Sequence, residues 1–402
     1  MIRKTGETMN TSIATEESST AITIDGLPDR IDAVIDMAIA EQRLVGAVVL
    51  LSLDGKLVYR RAAGLADREA NREMREDTLF RLASVSKLYV STAAMVLVAQ
   101  GRLALDEPVD TWLADFRPKL ADGSSARITL RHLLSHTSGL GYGFLEPADG
   151  PYHRAGVSDG MDLSDISLEE NIRRIASVPL LFQPGTAWTY SLATDVVGGL
   201  IARVTGVPLP EAVRELVATP LGINDTGFEV VDPARLAVPY VNEASGPRRM
   251  ADSEIVPLWE EVEGLRLSPA RALDASAFPS GGAGMIGTAG DTLRILEILR
   301  RGGAPLLPTE LVGEMATDHA AGMDLAPWPG RGFGLGFTIL RDPFAAGFAE
   351  TPGTWRMGGA YGHSWSVDRE KGLSVVAFTN AGLEGQSPGG RFPDELAQAI
   401  YA

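Results

Sequence analysis

The sequence predicts an α+β fold: an antiparallel sheet flanked by helices and interrupted by a large, mainly helical insertion. Three observations predict it. A hairpin pattern lies near the N-terminus, strand candidates cluster near the C-terminus, and the long middle reads as helices separated by Gly/Pro-rich loops such as 141–160 and 241–282. The boundaries that follow are a polar tail at 1–25, a sheet domain from 26–83 plus 300–402, and a mainly helical domain at 84–299. A cleft is expected where the two domains meet.

Taken in order, Ile31, Val34, Ile35 and Ala38 recur at helical spacing behind Pro28 and Asp29, which act as start signals. GAVVLLSL, Asp54-Gly55 and KLVYRRAAG form the hairpin, because Asp-Gly supplies the positive φ angles of a tight primed turn. Between Arg81 and Arg102 the chain is apolar almost all round, which predicts a buried helix stopped by Gly101. Near the end, GFGLGFTIL, YGHSWSVD and LSVVAFTNA are strand candidates and PDELAQAIYA is helical.

Composition narrows the chemistry. The 402 residues carry 36 Lys+Arg against 52 Asp+Glu, a net charge of −16, and no cysteine. Thiolate metal sites, disulfides and a cysteine nucleophile are excluded, so covalent chemistry must use Ser, Thr, Lys or a carboxylate. The acidic balance, without a basic stripe, argues against nucleic acid. Leu44–Leu53 is about half the length needed to cross a bilayer, and residues 1–25 lack the apolar block of a secretory signal. The expectation is a cytoplasmic protein without a membrane partner.

Lys87 is the only charge on the buried helix, and burying an ammonium costs several kcal/mol unless it is compensated. Ser84 stands three residues earlier, on the same face at the helix start, where a lysine of depressed pKa could take the seryl proton. The bland reading is a serine cap and a lysine reaching for water. Tyr190 precedes a helix running from about Thr194 to Gly206, as either a phenol at an element end or a core aromatic. Gly358-Gly359 opens a strand, where missing side chains would let a substrate approach the backbone or would make a bulge.

Other patterns are set aside. Lys4-Thr5-Gly6 lies in the polar tail. Gly385-Gln386-Ser387-Pro388-Gly389 spells an esterase elbow, but Pro388 has no N–H for its oxyanion hole and no histidine follows His363. The G-x-G-x-x-G at Gly282–Gly287 follows no clear strand, which favours tight packing over dinucleotide binding. His132 and His136 are four apart on an expected helix, but Leu133 replaces the catalytic Glu of a zinc motif, so helix-end hydrogen bonding is expected and no metal. Asp195 could cap its helix or polarise Tyr190 indirectly, and capping is the expectation.

Taken together, the hairpin, FRLASVSK, ITLRHLLSHTSGL, FQPGTAWTYS, SGGAGMIGTAGD and GGAYGHSW resemble, in order, the serine β-lactamase and penicillin-binding protein superfamily. Within it the chain is most similar to family VIII carboxylesterases, relatives of class C β-lactamases. The resemblance implies the β-lactamase/transpeptidase-like fold and a serine hydrolase that cleaves short-chain carboxylic esters through an acyl-enzyme, without a cofactor. It puts the nucleophile at Ser84, the lysine at Lys87 and the second-motif tyrosine at Tyr190, with the third motif at Met357-Gly358-Gly359. Ala360 and Ser84 would supply oxyanion N–H groups. Tyr142 would line the acyl pocket, and His363 would either line the cleft or be a satisfied strand residue. β-Lactamase, D-amino-acid peptidase and acyltransferase chemistry are the alternatives at the same site. Against a lactam, Leu192 replaces the second-motif Asn and Met357 the third-motif cation.

Overall fold

The computed structural model describes residues 22–402 apart from 327 and 386–388. Ser387 and Lys4-Thr5-Gly6 therefore lie outside the described residues. The central sheet has eight antiparallel strands. In chain order they are β1 (Gly46–Leu53), β2 (Lys56–Asp67), β3 (Arg72–Glu73), β4 (Arg331–Phe333), β5 (Thr338–Leu340), β6 (Trp355–Gly359), β7 (His363–Asp368) and β8 (Leu373–Thr379). Across the sheet they run β4-β5-β6-β7-β8-β1-β2-β3, so the last strand pairs with the first and joins the two ends of the chain. Leu50 stands opposite both Val376 and Arg60.

The hairpin forms as the sequence predicts, with Asp54 at φ 48° and Gly55 at φ 81°. GFGLGFTIL differs from the single strand expected. It breaks into β4 and β5 because Gly336 takes φ 110° and the Leu335 N–H leaves the ladder for the Met315 carbonyl.

Both faces of β1 and β8 are covered, which is why these strands read as continuous apolar runs. Ala47, Val49, Leu51, Leu373 and Val375 pack under α1 (Leu27–Ala40) and the last helix, Phe392–Tyr401. Val48, Leu50, Val376 and Phe378 belong to the larger core on the opposite face. That core contains α2 (Ser86–Ala99), in which Ser86 to Leu97 are all buried. It also contains α3 (Leu130–Leu134), α4 (Ala193–Thr205) and α5 (Ala289–Arg300). The middle segment holds more than helices: two small hairpins lie at Tyr240–Arg249 and Glu254–Leu267. Helix α5, on the middle side of the boundary drawn from sequence, packs on β1 and β8. Among the described residues no single helix is long and apolar enough to cross a membrane.

Two contacts fix α2 against the sheet. The short pair Phe80–Arg81 with Ile286–Gly287 anchors the chain just before the helix. Strand β6 then passes so close to the same turn that a Cβ at Gly359 would fall 2.3 Å from the Leu82 carbonyl oxygen. Gly359→Ala should therefore push β6 off the turn that carries Ser84. Overpacking of this kind costs about 1–3 kcal/mol, so the expected result is a melting temperature lowered by a few degrees together with at least a tenfold loss of kcat/KM. Full activity in that variant would show that the close approach is not required.

Candidate active site

Ser84 sits in a 3-10 turn, Ala83–Val85, that runs straight into α2. Ala83 before it has φ 45°, a left-handed conformation unfavourable for a residue with a Cβ, and is completely buried. This turn points the Ser84 side chain out of the helix entry, while Lys87 on the first helical turn stays at 0% exposure.

Three oxygens surround the Lys87 ammonium nitrogen: Ser84 Oγ at 3.2 Å, Tyr142 OH at 2.9 Å and the Gly282 carbonyl at 2.8 Å. Tyr190 OH donates to Ser84 Oγ from 2.8 Å. The structure thus brings together Ser84, Lys87 and Tyr190, which lie up to 106 positions apart in sequence. Burial pushes the Lys87 amine down to about 7, and the carboxylates of Asp195 and Asp159 offset part of that. Burial pushes the Tyr190 and Tyr142 phenols up, so both hold their protons at neutral pH.

Tyr142 does not wall the acyl pocket as expected. It is buried, bonded to Lys87 and stacked on Phe144 with ring centroids 4.4 Å apart, and Phe144 is the one that faces the cavity. Asp159 holds this loop by accepting from the Gly143 and Phe144 N–H groups at 2.9 and 2.8 Å. Asp195 is not a cap either. It lies inside the first turn of α4, buried, with Gly282 N–H 3.4 Å away. Gly282 is pinned between these groups: a Cβ there would lie 3.0 Å from Asp195 Oδ2, 3.2 Å from Tyr142 OH and 3.5 Å from Lys87 Nζ. The glycine-rich segment at 282–287 thus packs against the site and lends it a carbonyl.

His363 lies away from the cleft. Its ring packs between Phe80 and Phe378 at 5.3 and 4.6 Å, Nε2 bonds the Arg81 carbonyl, and burial lowers it to about 4. His132 and His136 do not share a helix, because α3 stops at Leu134 and His136 has φ 56°. His132 closes a capping box with Thr129 at the helix start. His136, which the sequence reading placed only as a helix-end residue, bonds Ser191 Oγ at 2.9 Å and packs 4.8 Å from the Tyr190 ring. Desolvation keeps it neutral, so it braces the tyrosine without adding charge. Among the described residues no three His, Asp or Glu side chains converge in a way that could hold a metal ion.

Ser84 and Tyr190 open into a cavity of about 600 Å³. Met357, Gly358 and Ala360 line it, whereas Gly359 turns to the Leu82 carbonyl. The opposite walls come from Leu258 and Trp259 of a middle loop and from Trp328, whose ring is 5.5 Å from that of Tyr190. The absence of a cation at Met357 is not an absence of cations in the cleft, since Arg331 and Arg356 both reach the cavity wall.

A family model described as beta-lactamase matches residues 31–399. Esterase EstB of Burkholderia gladioli is 52% identical over 386 residues, covering 95% of this chain and 98% of that protein. The solved structure of EstCE1, described as a hydrolase with promiscuous acyltransferase activity, superposes with a TM-score of 0.92 at 44% identity, covering 94% of this chain and 99% of that one. Monacolin J acid methylbutanoyltransferase of Aspergillus terreus is 30% identical over 386 residues, covering 85% and 87% of the two chains. Because the family model spans residues 31–399 and the Burkholderia esterase is similar along nearly the whole length, the chain belongs to the beta-lactamase family.

Proposed function

We propose that the protein is a serine carboxylesterase of the family VIII type that cleaves small-molecule, short-chain esters through an acyl-enzyme on Ser84. The single observation that carries this is the continuous chain of hydrogen bonds from Tyr190 OH to Ser84 Oγ to Lys87 Nζ at the floor of the cavity. A neutral amine has two N–H donors and one lone pair. The Gly282 carbonyl can only accept, so it takes one N–H, and Tyr142 oxygen takes the other. The lone pair is left for the Ser84 proton.

In acylation the Ser84 hydroxyl proton passes to Lys87 as Oγ attacks the ester carbonyl. The N–H groups of Ser84 and Ala360 receive the oxyanion. On collapse the Tyr190 phenol gives its proton to the leaving alkoxide, and the Lys87 proton restores the phenol. Water then takes the place of the alcohol, gives its proton to the Tyr190–Lys87 pair and attacks the acyl carbon, and Ser84 leaves with a proton. The raised phenol pKa supports Tyr190 as an acid and leaves the basic role to Lys87.

A second reading, acyl transfer to an alcohol in place of water, is favoured by the largely apolar walls of the cavity and by the activities named for EstCE1 and the monacolin J enzyme. Added butanol should then yield a butyl ester at the expense of free acid, and free acid alone would sink this reading while leaving the esterase one.

A fluorophosphonate should label Ser84 and not Ser387, and Ser84→Ala should lose at least a thousandfold in kcat/KM on p-nitrophenyl butyrate while keeping its melting temperature to within a few degrees. Labelling confined to Ser387 would transfer the reaction to the other motif. Because the base is active only when deprotonated, kcat/KM should rise with pH through an acid limb near 7, where Lys87 loses its proton, and then level off. A rate that falls across this range would exclude a neutral Lys87 as the base.

A further inference from the structure

The cavity carries two guanidinium groups, and they are not equivalent. Arg356 on β6 is ion-paired: Asp394 Oδ1 lies 3.1 Å from both terminal nitrogens, Glu350 Oε1 lies 3.4 Å from Nε, and the guanidinium carbon lies 4.1 Å over the Phe348 ring. Arg331, at the start of β4 on the sheet edge, has no side-chain hydrogen bond or ion pair among the described residues. Its guanidinium carbon instead lies over two ring faces, Phe348 at 4.6 Å and Trp328 at 5.9 Å. Its five N–H donors lie beside aromatic rings and have no protein acceptor among the described residues.

The nearby carboxylates do not fill that role. Asp394 and Glu350 attract Arg331 only from a distance because both are committed to Arg356, and Glu395 is bonded to Arg43 at 2.8 Å. Arg356 itself repels it. Burial, and after it the Arg356 charge, pull Arg331 down to about 9, and Asp394 and Glu350 offset part of that. The group also stands in the right place to read a substrate. Trp328 packs against the Tyr190 ring and lies beneath the Arg331 guanidinium, and Ser84 and Arg331 line one cavity.

We propose that Arg331 receives a carboxylate carried by the ester substrate at a distance from the reacting carbonyl, so that the preferred substrates are anionic esters such as dicarboxylic half-esters or esters of hydroxy acids. This rests on the esterase reading of the same site. A planar fork stacked on aromatic rings suits a bidentate carboxylate, and the partly desolvated wall strengthens the pairing. The chain's net charge of −16 repels an anion at long range, so a local cation is what allows such a substrate to settle.

The test compares charged and neutral partners of one length. One pair, 4-nitrophenyl hydrogen adipate and 4-nitrophenyl methyl adipate, places the carboxylate on the acyl side. The other, 4-butyryloxybenzoate and its methyl ester, places it on the alcohol side. For at least one pair, Arg331→Met should lower the charged-to-neutral ratio of kcat/KM at least tenfold relative to the wild type, and Arg331→Lys should retain part of the ratio. In the wild type, adipate should inhibit hydrolysis of the neutral ester of either pair and hexane-1,6-diol should not, a reading available even if Arg331→Met fails to fold. A ratio that does not change in the folded variants, or equal inhibition by adipate and the diol in the wild type, overturns the proposal. p-Nitrophenyl butyrate is measured alongside, and if the wild type does not hydrolyse it, the esterase reading fails instead. Adipate then decides: it should raise the melting temperature of the wild type more than that of Arg331→Met or Arg331→Lys, and equal shifts overturn the carboxylate site.

Discussion

Everything around the site follows from placing a primary amine where water cannot reach it. Lys87 is held at 0% exposure one turn after the candidate nucleophile, and an amine so placed must either find acceptors for its N–H groups or surrender its proton. The protein does both. The Gly282 carbonyl and the Tyr142 oxygen orient the nitrogen, and Asp195 and Asp159 stop burial from pushing the amine lower still. The outcome is a group near 7 that can change charge during turnover.

That requirement explains the neighbours. Gly282 must lack a side chain because three polar atoms of the cluster crowd its Cα. Tyr142 must stand inside the loop, so the wall of the pocket falls to Phe144, which stacks on it. Ala83 accepts a left-handed backbone because the chain has to turn sharply between the Phe80–Arg81 bridge and α2 while leaving Ser84 accessible. His136 keeps the tyrosine ring in place as a neutral wedge, which avoids adding a second cation beside Lys87.

What the sequence disclosed depended on how far apart the interacting residues lie. Ser84 and Lys87 were legible because their pairing is a spacing of three on one helix, and the Asp54-Gly55 turn because its chemistry is complete in two residues. Tyr190 was legible from its place ahead of α4 and from the order of motifs. By contrast, the bond between Lys87 and Tyr142 spans 55 positions and has no local signature, so Tyr142 was read as a pocket wall. For His363 the sequence left two readings open, a cleft residue or a satisfied strand residue, and Phe80 and Phe378, which only the fold brings to it, decide for the second. Asp195 looked like a cap because acidic residues favour first turns, and the lysine opposite could not be seen. Arg331 lacked any motif. Its distinction is that no acceptor among the described residues pairs with it, a property that appears only once those segments are placed.

The same burial that tunes Lys87 works against the fold, and the sign is fixed by linkage. Its folded value of about 7 lies below the unfolded 10.5, so the folded state binds the proton less well. The destabilisation is fully present below pH 7 and is relieved as pH rises towards 10.5. A difference of this size corresponds to roughly 5 kcal/mol, comparable with the entire net stability of many domains, about 5–15 kcal/mol. A surface lysine would carry no such load and would stay protonated at neutral pH, unable to accept the seryl proton. The burden is therefore inherent in the chemistry, and the larger core on one face of the sheet, which encloses α2, is what makes it tolerable. The apolar run that encloses the lysine serves both ends, since it lowers the amine and supplies the packing that holds it there.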